Sequence, residues 1–160
     1  MGFELLSSPV TAAGKVIKNR IVVPPMADFG MTGPDGMVNE RHIARYGSYA
    51  DGGAGLVIIE ACAVSAMKEP RNTIGVFDDR CIPGLSRLAE ASKRNGARAL
   101  VQLINTGRDA MEGQSIDEIS HERFMEYKRD FVSAAVRCRK AGFDGIELHA
   151  AYGMYLNEII

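Results

Sequence analysis

The sequence predicts an α/β protein built on a parallel sheet, and three observations predict it. Four short, nearly all-apolar segments recur along the 160 residues, at 20–24, 56–61, 98–104 and 145–149, and each reads as a strand buried on both faces. Between successive segments lies a stretch with apolar residues at the three- and four-residue spacing of a helix face. Each later strand is announced by a glycine that stops the preceding helix. Strand, helix and strand in that alternation call for right-handed crossovers and parallel pairing. An open sheet satisfies the pattern, and so does half of a barrel, since a closed eight-unit barrel takes about 250 residues.

The elements follow in order. Residues 10–18, with Gly14 between two β-prone flanks, form a small hairpin leading in. The first strand, at 20–24, is ended by Pro24 and Pro25, and a turn-rich loop runs from Gly30 to Gly36. Asn39 caps a helix that reaches Ala50 with Ile43, Tyr46 and Ala50 on one face, and Asp51-Gly-Gly-Ala-Gly55 stops it before the second strand. Its Gly53-Ala-Gly55 precedes a strand and has Ile58 where the last glycine of a G-x-G-x-x-G pattern would fall, so it is a helix stop and not a dinucleotide fingerprint. Pro83 suits the first turn of a helix carrying Leu85, Leu88, Ala89 and Ser92, which Gly96 ends before the third strand. Ser120 caps a long helix whose Phe124, Tyr127, Phe131, Ala134, Ala135 and Cys138 share a face, and Gly142 closes it before the fourth strand.

Composition narrows the function class. At 46% hydrophobic and 24% charged, with net charge -1 and pI near 6.3, the chain has a globular core and no electrostatic footprint for nucleic acid or anionic lipid. Its partners are expected to be small molecules or protein. Cys62, Cys81 and Cys138 are odd in number, far apart and set in apolar segments, which fits neither a disulfide framework nor paired zinc ligands and favours a reducing cytoplasm. The first 20 residues hold no apolar run long enough for a signal peptide, and nothing approaches a membrane span. Met1-Gly2 has Leu6 where a myristoylation site wants a hydroxyl residue.

Parallel α/β proteins bind ligands at the carboxyl ends of their strands. Those positions hold Pro25-Met26-Ala27-Asp28, then Ala61-Cys62-Ala63, then Gln102 with Asn105-Thr106-Gly107-Arg108, and finally His149 to Gly153. The motifs NRIVVPPM, GGAGLVIIEA, VQLINTGR and AGFDGIELHAAYG occur in this order and spacing. The chain thereby resembles the Old Yellow Enzyme family of NADH:flavin oxidoreductases, including its dienoyl-CoA-reductase-like members, from Phe3 to Ile160. The opening FELLSSPVTAAGKVIKNR resembles that family's entry hairpin, and Gly33-Pro34-Asp35-Gly36 its first active-site loop.

The resemblance implies a (β/α)₈ TIM barrel of which residues 1–160 form the N-terminal half of a single FMN-binding domain, with the remainder absent. It implies FMN as cofactor, NAD(P)H as reductant, and hydride transfer to an electron-poor alkene or related acceptor. Later strands of the family carry the flavin-phosphate site and, in some members, an iron-sulfur cluster, so the fragment alone is expected to be inactive. Carried over residue by residue, Pro25, Met26, Ala27 and Ala61 bring main chain against the flavin, where small side chains permit close approach. Gln102 faces the pyrimidine edge, because a carboxamide both donates and accepts; a strand glutamine otherwise only satisfies neighbouring main chain. Arg108 contacts the flavin or its phosphate, or else sits in an ion pair.

His149 resembles the residue that hydrogen-bonds the acceptor's oxygen, drawing charge onto it so that the β-carbon becomes more electrophilic. Two departures from the family stand out: Tyr152 replaces its usual His or Asn, and Met154 its proton-donating tyrosine. A thioether cannot donate a proton. Tyr152, solvent or Tyr155 can fill that role, or the reaction is not ordinary ene reduction. The loop from Arg108 to Ser120 is short for the family, which reshapes the substrate side.

Other signals are structural. Ser115-x-x-Glu118 has the form of a capping box, and His42 and His121, on helix N-terminal turns, are expected at the surface or in caps. Two readings compete with the flavin enzyme: a non-flavin barrel lyase or isomerase using His149 and Glu147, and a non-catalytic barrel fragment. A half barrel leaves sheet edges and an apolar face open, so self-association is expected.

Overall fold

A computed structural model of the chain describes residues 3–28, 30–66, 73–105 and 116–160. A single helical turn, α1 (Glu4–Ser7), precedes the hairpin β1 (Val10–Ala12) and β2 (Lys15–Ile17), which pair antiparallel around Gly14 in the left-handed region, φ 74°. There follow β3 (Val22–Val23), α2 (Glu40–Asp51), β4 (Leu56–Ala63), α3 (Ile82–Ser92), β5 (Arg98–Ile104), α4 (His121–Lys140), β6 (Gly145–Leu148) and a last helical turn, α5 (Tyr155–Glu158). The four later strands make one sheet in the order β3-β4-β5-β6, parallel throughout.

Local chemistry sets the helix ends as expected. The Asn39 side chain accepts the Arg41 and His42 N–H groups, and Ser120 accepts that of Arg123. Pro83 lies in the first turn of α3, and Gly53, Gly96 and Gly142 take positive φ after the helices. Helices α2, α3 and α4 cover one face of the sheet. The core forms there, where Tyr46, Leu85, Leu88 and Cys138 meet Val57, Ile59, Val101 and Leu103. Strand alternation turns Arg98, Leu100 and Gln102 to the other face, and their register partners Gly145 and Glu147 lie beside the last two. Gly55 lies where β3 enters: a Cβ there would stand 2.6 Å from the Asn19 carbonyl oxygen.

The first strand differs from expectation. It is two residues long and not buried on both faces, since Ile21 is 44% and Val22 47% exposed. Among the described residues β3 has only β4 beside it, and Pro24 and Pro25 cannot donate to a ladder, so pairing stops. The central strands meet or exceed expectation, with β4 running on through Cys62 and Ala63.

The hairpin sits under the amino ends of the strands. Lys18 Nζ donates to the Asn95 carbonyl at 2.8 Å and Arg98 Nε to that of Val16 at 3.0 Å. Asp144, its side chain 7% exposed, gathers Arg98 (3.0 Å), Lys93 (3.6 Å) and Lys15 (3.9 Å) and accepts the Ala99 N–H. That carboxylate ties hairpin, α3 and β5 to the start of β6. Among the described residues no helix is long and apolar enough to cross a membrane.

Candidate functional site

The carboxyl rim of the sheet gathers residues far apart in sequence. Val23 pairs with Val57, so Pro25, Met26 and Ala27 leave β3 at the rim toward which β4 runs. Gln102 pairs with Glu147 near the end of β5, and His149 N–H still bonds the Leu103 carbonyl at 3.0 Å just past β6. Parallel pairing therefore puts Pro25, Met26, Ala27, Ala61, Gln102, His149 and Tyr152 at one end of the sheet. Arg108 and Ser115 lie outside the described residues.

Between β4 and β5 the register jumps from Ile59–Val101 to Cys62–Leu103, three residues against two. The resulting bulge falls on Glu60 and Ala61, opposite Gln102. Bulges release main-chain groups from the ladder and re-aim the strand, and the alanine methyl leaves room for close approach to that main chain.

Gln102 Nε2 donates to Glu147 Oε1 at 2.6 Å. Its partner is therefore a side chain, not neighbouring main chain, and this bond points the carboxamide NH₂ at Glu147. Glu147, considered from sequence only as an acid or base, is here the group that orients Gln102. His149 Nδ1 is buried with no hydrogen-bond partner among the described residues, and its ring meets that of Tyr152 edge-on at 6.1 Å. Tyr152 is 88% exposed and held in the left-handed region at φ 59°, costly for a residue with a Cβ. Tyr155, one candidate proton donor, is 2% exposed with its ring against Tyr127 at 4.6 Å. It packs into the helix layer, and burial pushes its hydroxyl above the usual tyrosine range.

A second set of residues, which the sequence motifs do not single out, stands at the rim. Glu60 is fully buried, and Tyr46 Oη accepts its N–H at 2.9 Å while donating to its Oε2 at 3.2 Å. Arg45 Nη2 donates to the Met26 carbonyl at 3.3 Å, and Nη1 stands 3.7 Å from Asp28 and 3.8 Å from Glu60. Burial pushes the Glu60 carboxyl above the usual range, against the opposing pull of the Tyr46 hydroxyl and Arg45. A carboxylate inside an otherwise apolar strand was the available signal.

His42 caps as expected but is buried rather than superficial. Its Nδ1 accepts the Asn39 N–H at 3.1 Å and its Nε2 lies 3.0 Å from Thr32 Oγ1, tying the loop after β3 to α2. Beside that loop a cavity of about 170 Å³ is lined by Pro34, Gly36, Ala63, Thr73 and Phe77. His121 is exposed. Cys62, Cys81 and Cys138 are buried and free, and burial pushes the Cys138 thiol up to about 12.

The profile of the NADH:flavin oxidoreductase / NADH oxidase family matches residues 5–160. The chain belongs to that family. Among its relatives are the NADPH dehydrogenases of Listeria monocytogenes serotype 4a (strain HCC23) and Listeria innocua serovar 6a. Each is 36% identical over 160 residues, covering 90% of this chain and 47% of theirs. The chain thus spans about half the length of these relatives. Old Yellow Enzyme from Pichia sp. AKU4542 has a similar structure, with a TM-score of 0.83 at 24% identity over 96% of this chain and 47% of that one. The parallel sheet and hairpin accordingly have the fold of part of a (β/α)₈ barrel.

Proposed function

We propose that residues 1–160 are the N-terminal half of a single barrel domain and build one wall of its FMN site. The enzyme takes hydride from NAD(P)H onto flavin and delivers it to an electron-poor alkene or related small acceptor. The observation that carries this reading is the β4 bulge at Ala61 facing Gln102, on the same rim as Met26 and His149. The donor set fits a flavin edge: main chain at Pro25, Met26, Ala27 and Ala61, and a carboxamide whose direction Glu147 holds. Family membership and relatives named NADPH dehydrogenase support the same reading.

When bound, FMN supplies hydride transfer. The chain supplies position and charge control. Gln102 offers its carboxamide to the pyrimidine edge. His149, its ring at the rim beside the exposed Tyr152, would offer a ring nitrogen to the acceptor's oxygen. Tyr152 stands beside that ring as second ligand or as acid; Arg108, which the family resemblance assigns to the flavin or its phosphate or else to an ion pair, lies outside the described residues.

The open sheet face, the β3 and β6 edges, and a groove lined by Phe124, Phe131, Val132, Leu148 and Leu156 need cover, from a second copy or from further barrel. Light scattering of the 160-residue chain is expected to show self-association; a monodisperse 17.4 kDa monomer refutes that. Titrating FMN into the protein as encoded tests the cofactor reading. Quenched flavin fluorescence and a shifted visible band are expected, with bleaching by NADPH or NADH under anaerobic conditions. A flavin spectrum unchanged by excess protein refutes the reading.

A further inference from the structure

Two adjacent residues of α2 reach main chain in both segments that carry the flavin wall, at Met26 and at Glu60 next to Ala61. At the β4 bulge, Glu60 N–H falls where the ladder to β5 is interrupted, and Tyr46 Oη takes it instead, at 2.9 Å. The same oxygen donates to Glu60 Oε2 at 3.2 Å, so main chain and side chain of the bulge residue close on one hydroxyl. Arg45 reaches the other segment. Its Nη2 donates to the Met26 carbonyl at 3.3 Å, while Nε donates to the Tyr49 hydroxyl at 3.1 Å and holds the fork in place. Between them, Arg45 Nη1 stands 3.7 and 3.8 Å from the Asp28 and Glu60 carboxylates.

Tyr46 is 1% exposed and Glu60 0%, so neither is available to a ligand on the rim. Whatever they contribute passes through the backbone they hold. We propose that Arg45, Tyr46 and Glu60 are positioning residues that set the main chain of Met26 and Ala61 for the flavin. Cofactor affinity and flavin electronics are then controlled from one turn of α2 behind the sheet. This rests on the flavin reading above. The physical reason is that a bulge is a soft point: without the hydroxyl, the released N–H loses its acceptor and the buried carboxylate keeps only the Arg45 ion pair, and the strand shifts to compensate.

The test uses the protein as encoded, reconstituted with FMN. Tyr46→Phe keeps the ring in the core and removes only the hydroxyl; Arg45→Lys keeps the charge and removes the fork. Leu88→Val, at a fully buried residue of α3, is the control for lost stability. Each rim variant is expected to raise the FMN Kd about tenfold and to shift the flavin visible band. Tyr46→Phe should also speed amide exchange at Glu60 while leaving Val101 protected. Leu88→Val should lower Tm yet leave Kd and band unchanged. A Kd that tracks Tm across all three variants overturns the inference, as does a native Kd and band in Tyr46→Phe. Wild-type protein that takes no FMN overturns the flavin reading and this inference together; wild type that binds FMN beside an unaffected Tyr46→Phe overturns the inference alone.

Discussion

Replacing Asp144 by Asn removes the charge at a side chain that joins hairpin, α3 and β5 to the first residues of β6. The side chain is 7% exposed, accepts the Ala99 N–H at 3.1 Å and meets Arg98 at 3.0 Å. The amide keeps the size and one acceptor oxygen, but it places an NH₂ group among cations. Loss of a charge-assisted bond to Arg98 is worth about 1.5–3 kcal/mol. Lys93 and Lys15, at 3.6 and 3.9 Å and 35% and 49% exposed, add only a few tenths each, because solvent screens them. The expected loss is about 2–3 kcal/mol, or roughly 5–10 °C in Tm for a domain of this size.

Urea denaturation of the protein as encoded, followed by circular dichroism, measures it. Arg98→Met alone and with Asp144→Asn completes a double-mutant cycle, whose coupling should exceed about 1 kcal/mol. A loss below about 0.5 kcal/mol, or a coupling near zero, refutes the view that this carboxylate is the joint between hairpin and sheet.

The remaining predictions concern the rim and its supports. Gln102→Leu should weaken FMN retention about tenfold, as loss of a matched hydrogen-bonding edge predicts, while His149→Ala should leave FMN in place and raise the Kd of acceptor-like phenols; equilibrium dialysis separates the two, and equal effects of both on FMN contradict the assignment. Gly55→Ala sets a Cβ 2.6 Å from the Asn19 carbonyl and should cost about 1–3 kcal/mol, read from the denaturation midpoint; a neutral substitution means the β3 entry is not held there. His42 is lowered below its ordinary value of 6.5 by burial, with Arg41 and Arg45 adding to it. The unfolded chain therefore binds a proton that the native one refuses, and stability should fall as pH drops below 6.5 and stay level above it as far as His42 is concerned. In His42→Gln that fall should be absent, and parallel pH profiles for the two proteins refute it.

Much of the fold was legible along the chain because its signals are short-range. Asn39 and Ser120 bond N–H groups two or three residues ahead, Pro83 starts a helix, and glycines 53, 96 and 142 turn the chain out of one. The apolar runs of β4 and β5 announce strands between neighbours on both sides. The candidate wall was legible only as four motifs that resemble one family; neither spacing nor composition says that Ala61 lies on a bulge or that Gln102 meets Glu147, a bond between residues 45 apart.

The sequence by itself determined the order of strands and helices, their caps and stops, and which residues are apolar enough to form a core. Only the tertiary structure decided that 20–24 would shrink to an exposed two-residue edge, that Gly55 must lack a side chain beneath Asn19, and that Asp144, Arg45, Tyr46 and Glu60 carry the joints of the two rims. The reason is reach. Caps and turns are energies between residues within a turn of each other, written in adjacent letters, whereas an edge, a bulge or an ion-pair cluster exists only once strands remote in sequence have been brought into register.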